Sequence, residues 1–268
     1  MLKTKDVLSR NVWKYILTFI PLYLLALYKN GYLLYIGGYI SFIKIFKVLL
    51  LLIIGLLSYL FIHFFQKKKI KLDLKFQSLF IIPLFMPYNI SFLYFTFLIT
   101  IYNASERFKN LPLLILLLSL FFFYQNPAED LNVYVLNSWD KLWGRSIGGL
   151  GSSSTILAAF VFVILKYTNI YKSSIALEST CLFIILSILF HRFDLFYNGT
   201  ALLSLIVLAP WNNISPIQPK NQLIYSTIIP VIAFISSLFL NINISILVSI
   251  SLISLIYMII SHKNPKYI

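Results

Sequence analysis

Apolar runs recur along almost the whole chain and are separated by short polar or basic turns. About 20 apolar residues span the hydrocarbon core of a bilayer, and shorter runs can cross it when neighbouring helices cover them. The runs cover residues 12–28, 46–65, 74–87, 89–103, 111–124, 154–167, 173–191, 197–210, 223–240 and 243–261. This pattern predicts an all-α integral membrane protein with about ten transmembrane helices.

Several of these runs are short or interrupted. The runs 74–87 and 89–103 meet at Pro87-Tyr88-Asn89 and are expected to form half-helices or tilted helices, because irregular backbone at membrane depth must be covered by protein. We treat residues 1–268 as one polytopic membrane domain. The five runs on either side of the polar stretch 125–153 suggest two five-helix halves, although no internal sequence repeat is strong enough to establish them.

Basic residues are unevenly shared between the two sets of turns. Placing the amino terminus inside puts sixteen of the 22 Lys and Arg residues on inner flanks. The six outer cations are Lys29, Lys44, Lys47, Lys141, Arg145 and Arg192. The positive-inside rule therefore predicts ten crossings with both termini in the cytoplasm. The first run contains Pro21 and lacks a small-residue cleavage site, so we read it as a retained helix and not as a signal peptide.

Composition excludes a water-soluble globule, since 60% of the residues are hydrophobic, 11% are charged and the mean hydropathy is +0.88. The net charge of +14 would suit a nucleic-acid partner. However, the cations form short clusters between apolar runs, as membrane flanks do, and we expect no nucleic-acid binding. The single Cys181 excludes an internal disulfide framework, and its apolar surroundings predict a buried thiol.

The polar stretch 125–153 breaks the apolar pattern and falls on the outer side. It carries Glu129, Asp130 and Asp140. Trp139 and Trp143 are typical of an interfacial helix at the level of the lipid headgroups. The stretch 31–47 is expected to lie partly along the same surface.

The most specific local feature is the stretch Gly148-Gly149-Leu150-Gly151-Ser152-Ser153-Ser154-Thr155, directly before an apolar run. Glycines allow another group to approach the backbone closely, and a helix amino terminus favours an anion such as a phosphate. The alternative is a flexible loop with an ordinary serine cap. Asn198-Gly199-Thr200-Ala201 opens a later run, where small residues favour tight helix packing over ligand contact.

Ionisable residues are scarce inside the predicted spans. Glu178 is the only acid well within one, and it suits either an ion pathway or a hydrogen-bonded structural carboxyl near a helix end. His191, Arg192 and Asp194 predict a surface charge cluster, and three histidines in the chain make a metal site improbable. The chain has no catalytic nucleophile–base pair, phosphate-binding loop or dinucleotide fingerprint, so we assign no catalytic residue.

The order of these features resembles the RnfD and NqrB family, the large membrane subunits of ion-pumping, flavin-dependent electron-transport complexes. The similarity extends over nearly the whole chain as pattern and order. The stretches that carry it are Phe76–Pro87, Phe108–Pro112, Gly148–Ser154, Asn198–Thr200 and Leu208–Trp211. The resemblance implies a multi-pass protein of a bacterial inner membrane that works with other membrane subunits, including flavin-carrying proteins.

The chain departs from the family where the flavin chemistry is concerned. The family's covalent-flavin threonine motif is absent, and the expected region reads Val133–Trp139. Ser152 and Ser153 replace the glutamate and threonine of the glycine–serine motif, and Ala209 replaces an aspartate. Covalent attachment of flavin mononucleotide (FMN) is therefore not expected. Non-covalent FMN or riboflavin and no cofactor at all are equally compatible with the sequence.

Three hypotheses follow from these observations. The first is an RnfD-like subunit of an electron-transport complex that couples flavin-mediated electron transfer to ion translocation. If it binds flavin, we expect the contacts to come from Gly148, Gly151, Ser152, Ser153 and Thr200. The second is a non-catalytic membrane scaffold of a flavin-dependent redox system, and the third is a small-molecule or ion transporter that uses Glu178.

Overall fold

The structure is a computed structural model. It describes residues 12–67, 73–105, 108, 110–122, 138–144, 148–168, 172–212 and 214–263. Several sequence features lie outside the described residues: the basic residues 1–11, the basic turn 68–72, and residues 125–137 with Glu129 and Asp130.

The described residues form helices and connecting turns, with no strand among them. The α-helices are α1 Val12–Thr18, α2 Ile20–Leu27, α3 Leu33–Ile36, α4 Lys47–Phe65, α5 Leu74–Leu79, α6 Ile82–Phe85, α7 Phe92–Ala104, α8 Leu111–Ser119, α9 Ser138–Leu142, α10 Thr155–Thr168, α11 Ser173–Leu189, α12 Phe193–Phe196, α13 Gly199–Leu203, α14 Pro219–Ser236 and α15 Ile242–Lys263. Two π-helical turns, Tyr28–Tyr32 and Ser204–Leu208, and a 3₁₀ turn, Phe42–Phe46, join some of them.

Three helical segments of the described chain are long and apolar enough to cross a membrane: Val12–Ile36, Phe42–Phe65 and Ile242–Ile260. Other helices, including α7 and α10, are apolar but shorter. These helices indicate that the chain associates with a lipid bilayer, and the prediction of a helical membrane protein is confirmed at that level. The number of ten crossings stays a prediction.

The first helical segment is longer than the predicted run 12–28, because it continues through a π-helical turn to Ile36. A π-helical turn contains one more residue than an α-helical turn, so it changes the direction in which the following side chains point. Here it buries Lys29, Asn30 and Gly31 in succession. A Cβ on Gly31 would lie 2.6 Å from the Ile45 carbonyl oxygen, so glycine allows the 3₁₀ turn to pack against this helix.

Helices α4 and α7 run parallel, and one helical segment, α5–α6, lies between them in the sequence. Lys47, at the start of α4, donates a hydrogen bond to the carbonyl of Tyr88, just before α7. Farther along, the Ser58 and Thr100 hydroxyls lie 3.2 Å apart. Because matching contacts follow the same order in both helices, the segment α5–α6 between them must run the opposite way.

The same arrangement recurs in the second half of the chain, where α11 and α14 run parallel. Lys172, just before α11, donates to the Ser215 carbonyl oxygen over 2.7 Å. At the other end, the Phe190 and Phe234 rings lie 4.9 Å apart. The segment formed by α13 and the second π-turn therefore returns between them, as α5–α6 does in the first half.

Both returning segments begin with a side-chain cap. The Asp73 carboxylate accepts from the Phe76 amide over 2.9 Å, and the Asn198 side chain accepts from the Ala201 amide over 3.0 Å. Such caps satisfy one of the backbone donors that a helix start leaves without a partner. Asn198 is buried, so its cap allows α13 to begin inside the bundle, whereas Asp73 is exposed and caps α5 at the surface of the bundle.

Aliphatic and aromatic side chains form the buried core, and many others of the same types are exposed on the outside of the bundle, as expected for contact with lipid chains. The prediction that Cys181 is buried is wrong, because this thiol is exposed on α11. Helix α11 buries both polar and apolar side chains, such as Ser179 and Phe183, so its sequence pattern does not separate its core side from its lipid side. Some buried serines bind a carbonyl of their own helix: Ser187, for example, donates to the Phe183 carbonyl over 2.8 Å.

Candidate functional site

The glycine–serine loop Gly148–Ser154 is buried, and the turn that ends α6 holds it in place. The Leu150 amide donates to the Met86 carbonyl over 2.8 Å, and the Gly151 amide donates to the Leu84 carbonyl over 3.0 Å. The last carbonyls of a helix have no partner within it. The loop supplies those partners, so it is an ordered part of the core and not a flexible connection.

Thr200 joins the two predicted site stretches. Its hydroxyl accepts a hydrogen bond from the Gly149 amide over 2.9 Å and lies 2.9 Å from the Ser152 hydroxyl. All three residues are buried. The structure thus brings predicted site residues together from positions about fifty residues apart in the sequence. A Cβ on Gly148 would fall within 3.0 Å of the Thr200 hydroxyl, so glycine makes this contact possible.

Gly199 provides a second close approach in the same place. A Cβ built on it would fall within 3.0 Å of the Ser153 carbonyl group, which belongs to the backbone and cannot rotate away. The start of α13 therefore packs directly on the loop. The expectation that small residues at Asn198–Ala201 serve tight packing is confirmed.

Lys29 and Asn30 reach the loop from the first helix. The Lys29 ammonium donates to the Ser153 hydroxyl over 2.9 Å, and the Asn30 amide donates to the Leu150 carbonyl over 2.6 Å. Lys29 is only 2% exposed. Sequence reasoning counted Lys29 as an outer flank cation and missed Asn30. The signal was a pair of polar residues that interrupts an otherwise apolar helix.

The predicted flavin contacts are therefore engaged by the chain itself. Thr200 and Lys29 bind Ser152 and Ser153 directly, and a Cβ on Gly151 would lie 2.8 Å from the Leu22 carbonyl oxygen. A phosphate needs free donors and space beside the backbone. Among the described residues, the buried side-chain atoms that lack a partner lie elsewhere, on Gln77, Asn103, Thr180, Tyr225, Asn243 and Ser251. The loop in this structure does not fit a flavin phosphate.

Glu178 links two parallel helices. Its carboxylate accepts a hydrogen bond from the Ser226 hydroxyl over 2.5 Å, across the contact between α11 and α14. It lies near the start of α11 and is half-buried. The expectation of a hydrogen-bonded carboxyl near a helix end is confirmed, and a role in ion passage stays a prediction.

The turn after α11 carries the expected surface ion pair. Arg192 donates two hydrogen bonds to the Asp194 carboxylate, of 3.0 and 2.9 Å. This guanidinium holds the pKa of Asp194 below its ordinary value, and burial opposes that shift more weakly. In the part of the chain that the structure describes, no three His, Cys, Asp or Glu residues group as metal ligands.

A groove of about 500 Å³ lies between the first helical segment and α9. Its walls come from α2, the first π-turn, α3 and α10, with Trp139 and Asp140 from α9 and Trp143 from the turn after it. The Trp139 and Trp143 rings lie 6.4 Å apart in an edge-to-face arrangement, and both are exposed. The short helix α9 and the turn after it thus carry the exposed tryptophans expected of an interfacial helix.

The stretches Gly148–Ser154 and Asn198–Thr200, which carry much of the family resemblance, form one buried contact. Their chemistry in this chain is hydrogen bonding and close packing. Comparison with protein-family models and with curated proteins finds no match for this chain.

Proposed function

We propose that this chain is an RnfD-like membrane subunit of an ion-translocating electron-transport complex. The observation that supports this most is the contact of Thr200 with Gly149 and Ser152, at 2.9 Å to each. Two stretches of the family's pattern, far apart in sequence, are direct neighbours in the core. A chance similarity of short glycine–serine stretches would not require them to meet.

Within such a complex, we assign the chain a scaffold role without a flavin in its glycine–serine loop. Lys29 is tied to Ser153 where the family's motif has a threonine, and Thr200 is tied to Ser152 where the motif has a glutamate. The space and the donors that a phosphate would need are used to hold the first helix against the second half. Redox chemistry would then belong to flavin-carrying partner subunits.

The proposal includes ten crossings in two five-helix halves, with both termini in the cytoplasm of a bacterium. The parallel pairs α4/α7 and α11/α14 support it, because each pair needs a returning segment between its members. The segment α5–α6 spans twelve residues, or about 18 Å at the rise of an α-helix. Its short length is compatible with a place among neighbouring helices inside the bundle.

The partner experiment uses the tagged full-length chain, extracted from its own membranes in mild detergent. We expect flavin-containing partner proteins in the captured complex, and no stoichiometric flavin absorbance on the chain after the partners are removed. Capture without any flavoprotein contradicts the subunit proposal. Stoichiometric flavin on the isolated chain, retained after gel filtration, contradicts only the scaffold role.

The topology is tested by labelling single cysteines in a Cys181→Ser background with a membrane-impermeant maleimide. Lys67→Cys reports on the basic turn and Ser138→Cys reports on the start of α9; both positions lie in turns or short helices outside the long spans. We expect labelling from opposite sides of the membrane. Labelling of both positions from one side contradicts the ten-crossing arrangement.

A transporter is the second candidate, and one observation favours it. The broken segment α5–α6 ends against the glycine–serine loop, and the segment of α13 with its π-turn begins against the same loop. Paired interrupted segments are a feature of transporter binding sites. In reconstituted vesicles, Glu178→Gln should abolish uptake if Glu178 carries the ion. Uptake equal to that of the unsubstituted chain contradicts that role.

A further inference from the structure

Three polar contacts follow one another along the seam where the parallel helices α11 and α14 meet. In order from the end at which both helices begin, they are Lys172–Ser215, Ser174–Gln222 and Glu178–Ser226. The second and third contacts each join residues 48 positions apart, so they lie in one register on neighbouring turns. At the other end of the seam, the Phe190 and Phe234 rings meet instead. The polar contacts therefore lead from one end of the bundle to Glu178.

Gln222 lies one helical turn from the Glu178 contact, on the side of that end. Its side-chain oxygen accepts a hydrogen bond from the Ser174 hydroxyl over 2.9 Å. Its side-chain nitrogen donates to the carbonyls of Pro216 and Ile217 over 3.2 and 2.9 Å. Both ends of the amide are thus engaged, and Gln222 bridges α11 and the turn that precedes α14.

Lys172 holds the turn on which Gln222 depends. Ser215 is buried in this turn, and its carbonyl and hydroxyl accept from the Lys172 ammonium over 2.7 and 2.8 Å. The Ser215 hydroxyl in turn lies 3.0 Å from the Trp211 carbonyl, to which it donates. A hydrogen bond from a charged donor is stronger than one between neutral groups. Loss of the Lys172 ammonium would therefore loosen the turn that positions Gln222.

The first half of the chain contains a matching lysine contact without an acid beside it. Lys47 lies at the start of α4 and donates to the Tyr88 carbonyl before α7, as Lys172 does to Ser215 before α14. Neither α4 nor α7 contains Asp or Glu. Lys47 is therefore a matched control for Lys172.

We propose that Gln222 is a gate on a polar route from this end of the bundle to Glu178, and that Lys172 is its positioning residue. While Gln222 binds Ser174 and the turn, it separates the carboxylate from water and small cations at that end. When its amide leaves Ser174, the route opens as far as Glu178. This inference rests on the second candidate function, in which Glu178 carries an ion, and it adds control of access to that residue.

The test measures access to a thiol at position 178 in the full-length chain. Glu178→Cys, in a Cys181→Ser background, is treated with a cationic, water-soluble methanethiosulfonate in inside-out and right-side-out membrane vesicles. With Gln222 present, we expect slow modification from both sides. Gln222→Ala should raise the rate about tenfold, because loss of such contacts shifts an opening equilibrium by that factor. The rise should come from the side that also modifies Lys220→Cys, and Lys172→Met should give a smaller rise from that side.

Matched variants separate a gate from general loosening. Asn221→Ala removes the neighbouring amide, whose hydrogen bond goes to Gln218 at the start of its own helix, and Lys47→Met removes the matching lysine. Neither should change the rate, and thermal unfolding checks that each variant is folded. Fast modification of Glu178→Cys with Gln222 intact, an unchanged rate in Gln222→Ala, or an equal rise in Asn221→Ala would each overturn the gate.

Failure of the gate and failure of transport give different results. Uptake that is unchanged in Glu178→Gln, together with faster modification in Gln222→Ala, contradicts transport through Glu178 and leaves the gate in place. Uptake that is lost in Glu178→Gln, together with an unchanged modification rate in Gln222→Ala, contradicts only the gate.

Discussion

The Lys29 ammonium donates a hydrogen bond of 2.9 Å to the Ser153 hydroxyl, across 124 residues of sequence. Both side chains are buried, so the bond joins the first helix to the loop before α10 inside the core. Asn30 adds a second bond from the same π-turn to the Leu150 carbonyl. The two halves of the chain are thus joined through the loop in which the sequence places the contacts of a flavin, if one is bound.

The first prediction concerns this bond. Lys29→Met and Ser153→Ala should each lower stability, and their combined effect should be smaller than the sum. A hydrogen bond to a charged group contributes about 1.5–3 kcal/mol, which is the coupling we expect from the double-mutant cycle. Reversible unfolding in mixed detergent micelles measures it. Lys44→Met is the matched control with an exposed lysine. Fully additive losses would contradict a direct interaction.

The second prediction concerns Thr200. Thr200→Val keeps the shape of the side chain but removes the hydroxyl, which leaves the buried Gly149 amide and Ser152 hydroxyl without that partner. We expect a loss of about 2–4 kcal/mol, since each unpaired buried group costs about 1–3 kcal/mol. Thr200→Ser keeps the hydroxyl and should lose less than half as much. Equal losses in the two variants would assign the stability to the methyl group.

The third prediction compares two glycines. Gly199→Ala places a methyl group within 3.0 Å of the Ser153 backbone and should cost about 1–3 kcal/mol or more, as overpacking does. Gly55 lies inside α4, and a Cβ added there would meet only the Leu79 side chain, at 3.6 Å. Gly55→Ala should be neutral or stabilising, because alanine is favoured over glycine in a helix by about 1 kcal/mol. Thermal unfolding midpoints distinguish the two.

The fourth prediction concerns pH. Burial lowers the pKa of Lys172, beside the Ser215 carbonyl and hydroxyl, to about 8. Between pH 8 and the ordinary lysine value, the unfolded chain binds more protons than the folded chain at this site, so stability from this group rises with pH. The rate of amine acetylation at Lys172, followed by peptide mass spectrometry, should show a midpoint near pH 8. A midpoint at the ordinary lysine pKa would contradict the burial effect.

Lys172→Met is the control for the stability part of that prediction. It should flatten the rise of the unfolding midpoint between pH 8 and the ordinary lysine pKa, because it removes the titrating group. A rise that persists unchanged in the variant would assign the pH dependence to another residue.

Several features of the fold could be read from the sequence because they depend on local composition. Apolar runs predicted a helical membrane protein, since lipid requires the backbone to pair its own polar groups. The Arg192–Asp194 ion pair needed only residues two apart. Ser154 caps the helix that follows it, with its hydroxyl accepting from the Leu157 amide over 3.2 Å, as a serine at a helix start does.

The tertiary structure decided how the predicted site residues are used. Sequence grouped Gly148, Gly151, Ser152, Ser153 and Thr200, and the structure brings several of them into contact. Hydropathy could not reveal that Lys29 turns inward, because its direction depends on a π-turn and on a loop 124 residues away. Cys181 is exposed although it lies in an apolar run, because α11 buries both polar and apolar side chains and its sequence carries no local mark of the side that faces lipid.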